Sequence, residues 1–162
     1  MAKDPQGRLD GIWLKRAHRG KMDFVEQAEL VAGKGIVNNV DRSRRRQVTL
    51  LEREVWEQVT ASLGATLDPS ARRANLLVSG IALVRTRGRL LRIGQARVVV
   101  GGELTPCNVM DEALPGLQAA LAPDWRGGVF AQVFDAGTIR VGDAITWDVE
   151  ADLFGAIPVA ES

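Results

Sequence analysis

Short apolar runs, each stopped by glycine or another turn residue, recur along the chain. Ile12-Trp13-Leu14 lies in the first. Ala28 to Ala32 ends at Gly33, and Gln47 to Leu51 is β-branched and aliphatic. Asn75 to Ser79 ends at Gly80, and Leu90 to Ile93 at Gly94-Gln95, after which Ala96 to Val100 resumes. Val129 to Phe134 stops at Asp135-Ala136-Gly137, Ile139 to Val141 follows, and Ala144 to Val149 closes the series. Runs of this length with turn residues between them predict an antiparallel sheet or small barrel rather than βαβ units.

Helices are few but signalled. Thr49-x-x-Glu52 fits a capping box; Leu51, Val55, Trp56, Val59 and Leu63 then share a helical face, and Gly64 stops it. Asp68-Pro69 reads as an N-cap followed by proline in the first helical position, with a short turn through Arg72. Thr105-Pro106 repeats that signal before Cys107. Pro115 opens a further short helix with Leu114, Leu117 and Leu121 inward, ending before Pro123. The expected fold class is mainly β with short helices (α+β), a barrel-like core decorated by three or four of them. Residues 1–9 read as a loose polar leader, 10–150 as one domain, and 151–162 as a tail with Leu153-Phe154 as its one apolar anchor.

Charge excludes some functions. Lys and Arg total 21 against 20 Asp and Glu, a net charge of +1, whereas a general nucleic-acid or membrane-surface binder needs a strong positive field. The polar first ten residues lack a signal-peptide core, and no stretch reaches the roughly 18 apolar residues of a membrane span. With one cysteine in the chain no internal disulfide forms, and a soluble, cytoplasmic protein is expected.

That cysteine, Cys107, is the first candidate for chemistry. In the first turn of a helix capped by Thr105 it would face partial positive charge, which favours a thiolate, a soft metal ligand and a nucleophile. The competing reading is a small buried apolar residue. A Cys–His pair has only His18 to draw on, far away in a basic stretch, and a structural zinc site would want four Cys or His ligands. Arg42, Arg44, Arg45 and Arg46 precede Gln47, and Arg72-Arg73 precede Asn75. Guanidinium forks bind phosphate and carboxylate, and amides read a ring edge as donor and acceptor together. A solvated loop face is the competing reading for either cluster. Val31 to Gly35 lacks the spacing of a phosphate loop, no GxGxxG precedes a helix, and Glu52/Glu54 and Asp111/Glu112 look like solvated helix faces.

Several segments together resemble one family. Arg46-Gln47-Val48-Thr49-Leu50, Arg73-x-Asn75-Leu76 with Gly80, Leu91-x-Ile93-Gly94, Pro106-Cys107, Trp125-Arg126-Gly127-Gly128-Val129 and Gly137-x-Ile139-x-Val141-Gly142-Asp143 resemble, in order, the segments of MOSC domains, named for the C-terminal part of molybdenum cofactor sulfurase. The likeness runs from about Gly11 to Val149. It departs after Gly35-Ile36: many members carry a Gly-Asp pair shortly beyond the Gly-Ile, whereas here Val37-Asn38-Asn39-Val40-Asp41 follows, with Asn39 and Asp41 the candidates for that role.

The resemblance implies a closed or partly closed β-barrel of the pyruvate-kinase barrel-like kind and binding of a molybdenum cofactor (molybdopterin). Cys107 would be the metal ligand and catalytic residue. Arg73, Asn75, Gln47, Arg46, Thr49 and Arg126 would hold the pterin and its phosphate. Related proteins reduce N-hydroxylated compounds by cleaving an N–O bond. This chain has no cysteine set for an iron–sulfur cluster and no dinucleotide fingerprint, so an electron-donor reductase protein is implied. The alternative is a non-catalytic cofactor carrier or sulfur-carrier domain using Cys107, and the altered 37–41 loop keeps an inactive site open. No nucleic-acid or membrane partner is expected.

Overall fold

The computed structural model describes residues 6–40 and 43–148. Asp41, Arg42 and the expected tail lie outside the described residues. Eleven strands occur in order: β1 (Gly7–Lys15), β2 (Met22–Phe24), β3 (Gln27–Val31), β4 (Gly35–Ile36), β5 (Val48–Glu52), β6 (Leu76–Ser79), β7 (Leu90–Ile93), β8 (Ala96–Glu103), β9 (Val129–Asp135), β10 (Gly137–Arg140) and β11 (Ala144–Trp147). Helices α1 (Arg53–Ser62), α2 (Val109–Ala113) and α3 (Leu117–Leu121) and two short 3₁₀ turns, Pro69–Arg72 and Pro123–Trp125, complete the described elements.

Strands in the order β11-β7-β8-β9-β5-β6-β1 form a ring, because β1 also pairs β11. The chain is therefore a closed seven-strand β-barrel, with β2 hung on the end of β1 through Trp13 opposite Phe24. Closure leaves the ring without a free edge. The separate sheet β10-β3-β4 packs Leu30, Ile36 and Ile139 into the same apolar cluster as the barrel interior.

One pair, β5 with β6, is parallel, with Leu50 opposite Leu76 and Leu51 opposite Leu77. Parallel neighbours need a crossover, here α1, so the barrel contains one βαβ unit that the sequence reading did not expect. The period-2 alternation of strands explains how both faces are used. Leu50, Leu76 and Val78 point into the barrel. Leu51 and Leu77 point outward under Trp56 and Val59 of α1 and Leu117 and Leu121 of α3. These two strands are buried on both sides and so read as continuous apolar runs. The Trp56 indole donates to the Leu67 carbonyl at 2.8 Å, which fixes the chain leaving α1.

Local signals are met in some places and overridden in others. Gly64, at φ +74°, ends α1 in the left-handed conformation that glycine adopts without strain. Asp68 accepts from the Ser70 amide at 2.9 Å with Pro69 beside it, as its spacing predicts. Leu114, Leu117 and Leu121 lie inward around α3, also as expected. The Thr49 capping box does not form. Residues 48–52 are strand, α1 starts at Arg53, and its flanking Glu52 makes no side-chain cap. Likewise α2 starts at Val109 rather than Pro106, so Cys107 stands before the helix, its carbonyl accepting from the Met110 amide at 3.0 Å. The leader boundary is also corrected. Gly7 and Arg8 pair with Ile145 and Ala144 to close the barrel, and Leu9 is fully buried. No helix among the described residues is long and apolar enough to cross a membrane.

Candidate functional site

The register of β5 against β6 sets Thr49 beside Asn75 at the N-terminal ends of the parallel pair. The two residues knit together. The Asn75 Oδ1 accepts from the Thr49 amide and hydroxyl, both at 3.1 Å, and the Asn75 amide donates to the Thr49 Oγ1 at 2.9 Å. The Asn75 Nδ2 donates to the Trp13 carbonyl and to the Asn39 Oδ1, each at 3.1 Å. The Asn39 Oδ1 also accepts from the Lys15 backbone amide at 2.7 Å. Asn39 and Asn75 are both buried, and their amides join β1, β5, β6 and the loop after β4 into one wall.

Above this wall opens a cavity of about 300 Å³, at the low end of the range for small-molecule sites. Lys15, Arg46, Arg72 and Arg73 line it, together with Asn39, Thr49, Asn75, Thr105 and Cys107 and an apolar side of Val40, Leu104, Val109 and Met110. No aspartate or glutamate is among these lining residues. Cys107 is exposed.

The two adjacent arginines serve differently. Arg73 closes the 3₁₀ turn in the left-handed region, at φ +66°, and its Nη2 donates to the Gly20 carbonyl at 2.7 Å, tying the β1–β2 turn to the cavity. Arg72 is only 5% exposed. Its Nε donates to the Gly127 carbonyl at 2.9 Å and its Nη2 to the Leu104 carbonyl at 2.7 Å, while Nη1 lies 3.9 Å from the Met110 sulfur. Burial pushes this guanidinium down to about 10, with Cys107 opposing the fall and Arg46 adding to it. A buried cation held by carbonyls and a thioether is only partly compensated, and an anion would complete it.

Of the residues expected at the site, Cys107, Arg46, Thr49, Arg73 and Asn75 converge on the cavity. Gln47 and Arg126 do not line it. The Gln47 side chain is buried, accepting from the Val133 amide at 2.9 Å and donating to the Arg44 carbonyl at 3.0 Å. Arg126 donates to the Ala120 carbonyl at 3.2 Å. Both are spent on local structure. Thr49 lines the cavity without the capping role its motif implied. Of the other polar lining residues, Arg72 was read only as a member of the Arg72-Arg73 cluster, Asn39 only as a candidate in the departing loop and Thr105 only as a helix cap, while Lys15 was not singled out from sequence. Adjacent arginines in Arg72-Arg73 were the available signal; Lys15 had none.

A sulfur suits a soft metal, and clustered cations suit a phosphate. No group of three or more His, Cys, Asp or Glu placed to hold a metal ion occurs among the described residues. A metal at Cys107 would therefore draw its remaining ligands from the group that brings it. A pterin dithiolene with a phosphate tail is such a group, and the donor set fits it.

The MOSC domain family model matches residues 19–146, and the chain belongs to this family, which is associated with binding of the molybdenum cofactor. In fold the chain is similar to the YuaD protein from Bacillus subtilis, with a TM-score of 0.76 at 19% identity over 86% of this chain and 94% of that one. It is also similar to YiiM from Geobacillus stearothermophilus, with a TM-score of 0.71 at 15% identity over 88% and 75% of the two chains. YiiM from Escherichia coli gives 0.63 at 16% over 96% and 79%. No protein of curated function matches the chain in sequence.

Proposed function

We propose that the cavity holds a molybdenum–pterin cofactor and that the chain reduces N-hydroxylated compounds there, with electrons from a separate reductase protein. The observation that carries this reading is the convergence of an exposed thiol and four cations, with no carboxylate among the described lining residues, on one cavity. Cys107 Sγ is the metal ligand. Arg46, Arg72, Arg73 and Lys15 would hold the cofactor's anionic phosphate, while Thr49, Asn75 and Asn39 keep the wall rigid so that these donors stay aimed. When bound, the cofactor supplies two-electron removal of oxygen from an N–O bond. Converting N–OH to N–H consumes two electrons and two protons and releases water. The chain's single cysteine cannot hold an iron–sulfur cluster, so the electrons enter from outside.

The exposure of Cys107 also favours a second reading, a carrier that passes on the cofactor or a persulfide sulfur. The test uses protein made in cofactor-competent cells, assayed with reduced dye and 6-hydroxylaminopurine alongside metal analysis. Molybdenum near one per chain with turnover supports the reductase. Molybdenum without turnover supports the carrier, and protein free of molybdenum rejects both cofactor readings.

A further inference from the structure

The Arg46 guanidinium lies 5.4 Å from the centre of the Phe130 ring, and that of Arg45 lies 5.5 Å from it. Phe130 is directly opposite Thr49 across β9 and β5, so the two side chains share a face, and Thr49 lines the cavity. Phe130 is 7% exposed yet belongs to neither apolar cluster of the molecule.

Its bed is unusual. The β8–β9 register shifts between Val100 and Gly102, so that Gly101 is an extra residue facing the ring. A Cβ on Gly101 would stand 2.5 Å from Phe130 Cε1 and 2.9 Å from Cδ1, and one on Gly102 would stand 3.2 Å from Cε2 and Cζ. Neither glycine is in the left-handed region, so the backbone does not require glycine at either position; the ring does.

We propose that Phe130, laid on the bare backbone of Gly101 and Gly102, is a positioning residue that holds the Arg46 guanidinium at the cavity for a phosphate-type anion. A long arginine side chain on the exposed loop before β5 would otherwise lose rotamer freedom only on binding. The ring's electron-rich face takes up that ordering beforehand. This deepens the ligand-site reading of the cavity and needs neither metal nor turnover.

The test is the affinity of the full chain for inorganic phosphate at low ionic strength, by titration calorimetry, in a double-mutant cycle. Phe130→Leu is expected to weaken phosphate binding by about fivefold, with Phe130→Trp restoring it. Gly101→Ala, which displaces the ring without touching Arg46, is expected to act like Phe130→Leu. In an Arg46→Ala background Phe130→Leu should add nothing. The proposal is overturned if Phe130→Leu binds phosphate as the parent does, if its loss adds in full to that of Arg46→Ala, or if the parent chain binds no phosphate. Should Phe130→Leu not fold, Gly101→Ala and Phe130→Trp carry the same comparison. A chain that comes from cofactor-competent cells without molybdenum yet passes this cycle would leave the inference standing while rejecting the cofactor reading.

Discussion

Arg72 is where stability and ligand binding oppose each other most clearly. Its fall from the ordinary guanidinium range to about 10 corresponds to about 3 kcal/mol by which the folded chain disfavours the charged guanidinium. Arg72→Met keeps much of the volume and removes that penalty. It also strands the Gly127 and Leu104 carbonyls, which now accept at 2.9 and 2.7 Å, at about 1–2 kcal/mol each. The effects nearly cancel, so urea denaturation should place the variant within about 1–2 kcal/mol of the parent. Phosphate affinity by calorimetry should fall about tenfold or more, because a charge-assisted contact is worth roughly 1.5–3 kcal/mol. The pH dependence has a definite sign. With the folded-state value lowered to about 10, the unfolded chain binds more protons from there up to the ordinary guanidinium value, so stability rises with pH across that window and Arg72→Met loses the rise. A variant destabilised by about 4 kcal/mol or more that binds phosphate normally would show Arg72 to be a strut and refute the reasoning.

Three further outcomes are expected. Asn75→Ala deletes the bonds that join Thr49, Trp13 and Asn39, costing about 3 kcal/mol, and calorimetry should show Tm falling by about 8 °C; an unchanged Tm would remove Asn75 from the wall. Burial raises the Glu52 carboxyl above its ordinary value, against a lowering hydrogen bond from the Leu83 backbone. Its contribution to stability is full below the unfolded value and lost as pH rises through the folded one, so Glu52→Gln should raise Tm at pH 7 and not at pH 3. Arg126→Ala should retain molybdenum at the parental level, since its side chain is turned to Ala120 rather than the cavity; metal loss would place it at the site.

The barrel was legible because its strands alternate or run continuously apolar between glycines, and backbone sterics at Gly64 and the Asp68-Pro69 cap act within a few residues. The Thr49 cap failed for the opposite reason. Its hydroxyl is claimed by Asn75, 26 residues away, and a tertiary bond overrode a local motif. The short strands β2 and β4 carry too few residues for a period. Gln47 and Arg126 sit in segments like those of the family, but side-chain direction decided their use, and direction is set by strand pairing. Adjacent Arg72 and Arg73 look equivalent in sequence; the left-handed turn at Arg73 separates a buried cation from a rim cation. The cavity itself joins five separate stretches of the chain, and no spacing rule connects them.

Molybdenum content bears most directly on the cavity as a cofactor site. Parent and Cys107→Ser chains, purified from the same cofactor-competent cells, are compared by elemental analysis beside their thermal unfolding. About one molybdenum per parent chain, and little in a Cys107→Ser chain that unfolds at the same temperature, is the predicted result. Equal metal in both chains, or none in either, contradicts it.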